Sequence, residues 1–140
     1  MQVFIIGTVY ETAKALDPKR LWKQILECDQ IIAAIEGNAA WSNHPVVLMY
    51  RNHVDYLKLY RITLGLLRSG MFEEAMKNSE AAELLKPEFI GSYLTDQMKR
   101  RLYTKDKNYY SQWSDLGESD INYYFVDGKW LHYKNGKLLC

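Results

Sequence analysis

DPKRLWKQILECDQIIAAIEG, residues 17–37, is the stretch whose reading decides the fold. Asp17 followed by Pro18 is a helix start. The aspartate offers an acceptor to the unpaired backbone N–H groups of a first turn, and the proline lacks an N–H where none is needed. Leu21, Ile25, Cys28 and Ile32 then recur at three or four residues and form one apolar stripe. Gly37-Asn38 supplies the stop, so a helix is predicted from Pro18 to about Glu36. A second stripe on the same helix is polar: Arg20, Gln24, Glu27 and Gln30.

Upstream, residues 2–9 read as an extended or irregular arm. Downstream, the loop Gly37–Asn43 carries Trp41, and a long helix is predicted from about Pro45 to Arg68, ended by Ser69-Gly70. Met49, His53, Leu57, Tyr60, Leu64 and Leu67 form its apolar side; Arg51, Asp55 and Lys58 lie on another face. Residues 71–85 read as a third helix, Pro87 breaks the chain, and Thr95 or Asp96 is the expected cap of a short basic helix through Leu102. The period then changes. Asp127-Gly128 and Asn135-Gly136 are tight-turn dipeptides between Tyr123–Val126, Trp130–Tyr133 and Lys137–Leu139. The predicted fold is therefore mainly α: a compact single-domain helical bundle over residues 1–140, with an irregular N-terminal arm and a small C-terminal β-hairpin or meander. A chain of 140 residues suits one sizeable core.

A formal net charge of +1 gives no support for nucleic-acid binding by itself, but its distribution is uneven. Lys99, Arg100, Arg101, Lys105 and Lys107 face one acid, Asp106, whereas Glu73, Glu74, Glu80, Glu83 and Glu88 outnumber Lys77 and Lys86. Such a distribution fits a phosphate-binding face, and it fits a solvated helix surface as well. Eleven Tyr and four Trp supply rings for a core or for stacking on bases. Cys28, inside an apolar pattern, reads as a buried small hydrophobe; with Cys140 it makes neither a disulfide framework nor a metal site. No metal or organic cofactor is expected. Val3-Phe4-Ile5-Ile6 is too short for a signal peptide, and no segment approaches membrane-spanning length. A reducing cytosol is the expected compartment.

Phosphate-binding glycine loops, dinucleotide fingerprints, zinc-spaced Cys/His sets and nucleophile elbows are missing. What remains is Glu27, an acid in a polar helical stripe with Arg20 and Gln24 one or two turns away. This set fits a sugar-phosphate site that stabilises developing positive charge, and equally an exposed helix surface.

Three blocks carry a resemblance. Leu16-Asp17-Pro18-Lys19-Arg20-Leu21 is followed by Lys23-Gln24 and Glu27. Asn43-His44-Pro45 is followed, eight residues after the proline, by His53-Val54. Pro87-Glu88-Phe89-Ile90-Gly91-Ser92-Tyr93-Leu94 is followed by a polar helix, Tyr109-Tyr110 and Trp113. In this order and spacing, across roughly residues 12–113, the chain resembles the pyrimidine-dimer DNA glycosylases of the phage endonuclease V family and their bacterial relatives.

The resemblance implies a glycosylase with lyase activity. The α-amine of the first residue attacks C1′ of the damaged nucleotide, the base leaves, an imine forms, and β-elimination cuts the strand. An ordinary terminal amine, with a pKa of about 7.7–8.0, is partly neutral near pH 7, whereas a lysine near 10.4 needs burial or a cationic neighbour. Met1 is the expected source of the amine, because removal of the initiator normally requires a small second residue; Gln2 is the alternative. Glu27 maps to the family's catalytic carboxylate.

The same resemblance implies double-stranded damaged DNA as partner, sharply kinked, with the nucleotide opposite the lesion moved out. The expected DNA contacts are Arg20, Lys23 and Gln24 beside Glu27, Asn43 and His44 in the loop, Arg51, and Lys99 and Arg100 in the basic cluster. Trp41 suits stacking or wedging, and also loop anchoring. A monomer in the cytoplasm of a bacterial or phage-infected cell is expected. Two other readings stay open: a DNA-binding module that has lost its chemistry, and a helical interaction domain using the acidic residues 72–88.

Overall fold

The computed structural model describes residues 1–37 and 42–139. Trp41, Asn38 of the expected helix stop and Cys140 lie outside the described residues. The elements are α1 (Val9–Ala15), α2 (Pro18–Ile35), α3 (Pro45–Tyr50), α4 (Val54–Arg68), α5 (Phe72–Leu84), α6 (Ser92–Lys105), a 3-10 helix (Ser111–Leu116), β1 (Asn122–Val126), β2 (Lys129–Lys134) and β3 (Lys137–Leu138). The molecule is mainly helical, with a three-stranded antiparallel sheet of order β1-β2-β3 at its C-terminal end, as expected.

α2 forms as its sequence dictates. Asp17 caps it, accepting from Arg20 N–H at 3.3 Å, and Leu21, Ile25, Cys28, Ile31 and Ala34 are buried. Tyr110 sets the capping residue from below: its hydroxyl donates to Asp17 Oδ1 and accepts from Asp17 N–H at 2.9 Å. Burial alone would raise the Asp17 pKa, but the bonds from Tyr110 and Arg20 outweigh it and hold the carboxyl below its usual range.

Three boundaries differ from expectation. First, the irregular arm expected over residues 2–9 gives way at Val9 to α1, a helix that the sequence reading does not predict. A capping box starts it: Thr8 Oγ1 accepts from Glu11 N–H at 3.1 Å, and Glu11 Oε1 accepts from Thr8 N–H at 2.9 Å. Second, the long 45–68 helix is broken. His53 leaves helical geometry (φ −131, ψ 31), and the Phe89 ring stands edge-on to both Tyr50 and His53, at 5.4 and 5.5 Å, across the bend. A contact from far along the chain marks this break, with neither Gly nor Pro at 51–53. Third, α6 starts at Ser92 behind Gly91, so Thr95 and Asp96 are inside it and do not cap it. Its buried stripe, Leu94, Met98 and Leu102, begins a turn earlier than the basic cluster suggested.

Inside the helices runs the arm, with Val3, Phe4 and Ile5 buried. Side chains, rather than a sheet, pair its backbone. Gln24 Oε1 accepts from Phe4 N–H at 2.7 Å and Gln24 Nε2 donates to the Gln2 carbonyl at 2.9 Å. Tyr60 donates to the Phe4 carbonyl at 2.5 Å, and Thr12 accepts from Ile6 N–H at 3.1 Å. Each such group, buried and unpaired, costs about 1–3 kcal/mol, so Gln24, Tyr60 and Thr12 fix the path of the arm.

The sheet closes the other side. Asp127-Gly128 and Asn135-Gly136 both take positive φ (52 and 76 in each pair), the type I′ geometry that only such dipeptides adopt readily. In β1 alternate residues share a face: Asn122 and Tyr124 look toward the chain start. Phe125 and Tyr123 pack on Phe89 and Tyr93. Trp130 packs on Tyr93 and Phe125, both at 5.1 Å, and Tyr124 on Tyr133.

Candidate active site

α2, the arm, α6 and the start of β1 meet around a cleft of about 240 Å³. Its walls include Met1, Gln2, Arg20, Lys23, Gln24 and Glu27, six of the residues singled out from sequence. Lys19, Arg101, Lys105 and Asn122 complete the polar lining. Glu27 is the one carboxylate among these lining residues, set against five side-chain cations and the chain-terminal amine.

The chain start lies against Glu27. Gln2 N–H donates to Glu27 Oε2 at 3.3 Å, and Tyr124 O–H donates to the Met1 carbonyl at 2.7 Å. With the Gln2 carbonyl held by Gln24, the first two residues are fixed at three points. Burial lowers the pKa of the Met1 amine below its ordinary 8.0. Glu27 opposes this, while Lys23, Arg101 and Lys105 add to it. The outcome is an amine with a larger neutral, nucleophilic fraction near neutral pH than a free chain terminus has. Lys105 is lowered too, by burial first, then by Arg101, Lys23 and Arg20, against Glu27.

Gln24 departs from expectation. The polar stripe of α2 is not one exposed face: Gln24 is 2% exposed and its amide is engaged with the arm and Tyr60. Its structural role is to position the first residues. Arg20 is bonded to Asp17 at 3.2 Å and reaches the Lys105 carbonyl, while Lys23 is exposed at the rim.

His44 caps α3, accepting from Val46 N–H at 3.1 Å on Nδ1, and stands edge-on to Tyr124 at 5.7 Å. Burial, aided by the charge of the terminal amine, lowers its pKa to about 4, so its ring is neutral at pH 7. Asn43 is exposed beside it, and Arg51 donates to the Ser42 carbonyl at 2.8 Å; neither lines the cleft.

The basic cluster of α6 divides by direction. Arg101 and Lys105, one turn apart, face the cleft. Arg100 turns away, donating to the Leu116 carbonyl at 2.8 Å and to Gln97 at 3.1 Å. Lys99 lines a separate depression with Glu11 and Trp113, and Lys107 pairs with Glu118 at 2.7 Å. Lys99 and Arg100, chosen from sequence, are therefore not brought to the cleft, and Arg101 and Lys105 are. Helical spacing beside the stripe Leu94, Met98, Leu102 was the signal that distinguishes them. Asn122 and Tyr124 carried no comparable signal.

Residues 1–64 match the family described as pyrimidine dimer DNA glycosylase. This is the family that the three sequence blocks resemble. No curated protein and no solved structure matches the chain. The matched segment contains Met1, Gln2, Gln24 and Glu27; Arg101, Lys105 and Asn122 line the same cleft from beyond it, and Tyr124 bonds the Met1 carbonyl. Among the described residues no group of His, Cys, Asp and Glu is arranged to hold a metal ion, and no helix is long and apolar enough to cross a membrane.

Proposed function

We propose that the protein is a DNA glycosylase with lyase activity, acting on a pyrimidine dimer or another damaged or modified pyrimidine in duplex DNA. One observation carries the reading: a chain-terminal amine of lowered pKa and the Glu27 carboxylate share a cleft whose other charged side chains are all cations. The family match over residues 1–64 supports the glycosylase part of this reading.

The neutral amine attacks C1′ of the target nucleotide. The electron pair of the C1′–N1 bond leaves with the base, which takes up a proton, and the attacking nitrogen sheds one to Glu27. Opening of the C1′–O4′ bond, with a proton added to O4′, gives the protonated imine between protein and sugar. Loss of a C2′ proton then expels the 3′ phosphate, breaking the C3′–O bond and cutting the strand. Water hydrolyses the imine and frees the amine. While ionised, Glu27 stabilises the positively charged sugar, and Arg20, Lys23, Arg101 and Lys105 surround the flanking phosphates. Met1 is the source of the amine; with Met1 removed, the Gln2 nitrogen would take over beside Glu27.

Borohydride reduction during reaction with an abasic or dimer-containing duplex tests this. The expected result is a covalent protein–DNA adduct mapping to the N-terminal residue, with Glu27→Gln binding the duplex but failing to nick it. Equal trapping by a protein acetylated at its terminus would overturn the mechanism, and binding without nicking by the unaltered protein would favour a passive DNA-binding module.

A further inference from the structure

Six buried side-chain polar atoms lack a hydrogen-bond partner among the described residues, and three of them belong to residues lining the cleft: Gln2 Oε1, Arg101 Nε and Asn122 Oδ1. Folded proteins leave few such atoms unpaired, because each is costly. The other three, on Tyr50, Tyr56 and Glu83, are not part of its walls. Unmet hydrogen-bonding capacity is thus concentrated beside the amine and Glu27.

Gln2 is 8% exposed and its backbone is anchored, the N–H to Glu27 and the carbonyl to Gln24. Asn122 opens β1, two residues before the tyrosine that holds Met1. Their chemistry narrows what they meet. Within a DNA strand, the phosphates and linked deoxyriboses offer acceptors, and the donors are N–H groups of the bases. Arg101 Nε, a donor, suits a phosphate or carbonyl oxygen. A carboxamide has a different match. Turned either way about its last bond, it sets a donor beside an acceptor, the complement of a pyrimidine's N3–H and adjacent carbonyl. Saturation of the C5–C6 bond leaves that edge intact.

We infer that Gln2 and Asn122 are specificity-determining residues that hydrogen-bond the N3–H and carbonyl edge of the target pyrimidine, so that the cleft reads the base as well as the sugar. The inference rests on the glycosylase reading and names its substrate more closely: a pyrimidine with an unsubstituted imide edge.

Three duplexes separate the two claims: one with an abasic site, one with a thymine dimer, and one with that dimer methylated at N3 of the target base. N3-methylation also removes a base-pairing hydrogen bond, which eases opening of the damaged pair, so slower cleavage runs against that effect. The unaltered protein is expected to nick the abasic duplex, to cleave the glycosidic bond of the dimer's target base, which stays joined to its neighbour through the cyclobutane ring, and to cleave that bond in the methylated dimer at least tenfold more slowly. Asn122→Leu is expected to lower the ratio of glycosidic cleavage to abasic nicking about tenfold and to erase discrimination against the methyl group. Equal cleavage at methylated and unmethylated base, with abasic nicking intact, overturns edge reading and leaves the glycosylase assignment standing. Proportional loss of both activities in Asn122→Leu removes Asn122 from base recognition. Failure to nick or trap on the abasic duplex overturns the glycosylase reading and this inference with it.

Discussion

The Tyr124 hydroxyl donates a 2.7 Å hydrogen bond to the Met1 carbonyl, joining residues 123 positions apart. Burial raises the phenol's pKa to about 12, so it remains a donor throughout the range in which the amine titrates. Tyr124→Phe is expected to cost about 0.5–1.5 kcal/mol of stability, the net worth of one hydrogen bond. Imine trapping should slow by about tenfold or more, because misplacing a reacting atom is costlier than the lost bond itself. Stopped trapping time courses beside urea unfolding separate the effects. An unchanged trapping rate would show that the amine is held elsewhere.

Gln24 bridges the arm by both ends of its amide. Gln24→Leu leaves Phe4 N–H and the Gln2 carbonyl without that partner, at a cost of about 2–6 kcal/mol. Trapping should fall with it even at temperatures where the variant is fully folded. Retained stability together with retained trapping would contradict the positioning role.

The amine's titration should be visible in the pH dependence of trapping. The rate rises as the ammonium loses its proton, and the lowered pKa places that rise below the ordinary value of 8.0. Lys105 lowers the amine pKa by charge repulsion. Lys105→Met removes that repulsion, favours the ammonium, and shifts the rising limb to higher pH. Arg101→Met is expected to move it the same way. A limb that stays in place in both variants would remove these cations from control of the nucleophile.

His44 has a folded pKa of about 4 against an ordinary 6.5. Between those values the unfolded chain binds a proton that the folded ring does not, so stability falls as pH drops through 6.5 and levels off below about 4. His44→Asn keeps an N-cap acceptor and removes the titration. Its melting temperature should decline less than that of the unaltered protein between pH 6.5 and 4. Parallel curves for the two proteins would count against a neutral His44.

Much of the architecture was legible where local chemistry acts alone. Asp17-Pro18 starts α2, and the two turn dipeptides with positive φ make the sheet. The Thr8–Glu11 box was legible too, but the sequence reading assigns no element between the arm at 2–9 and Asp17. The bend at His53 was not, because Phe89 arrives there from far along the chain. At the site, Glu27 and its neighbours on α2 were readable from spacing and resemblance. Gln24 was misread because a polar residue at helical spacing signals solvent, whereas here the buried partner is backbone from the arm. The cluster at 99–107 displayed charge without direction; only the packed stripe of α6 decides that Arg101 and Lys105 turn inward and Arg100 outward.

Holding the arm by side chains from distant elements has a consequence for how the protein comes into being. Translation makes Met1 before Tyr124, so the bond that fastens the Met1 carbonyl cannot form until β1 has been made. A polypeptide released after Leu116 would contain α1–α6 and still leave the Met1 carbonyl unclaimed.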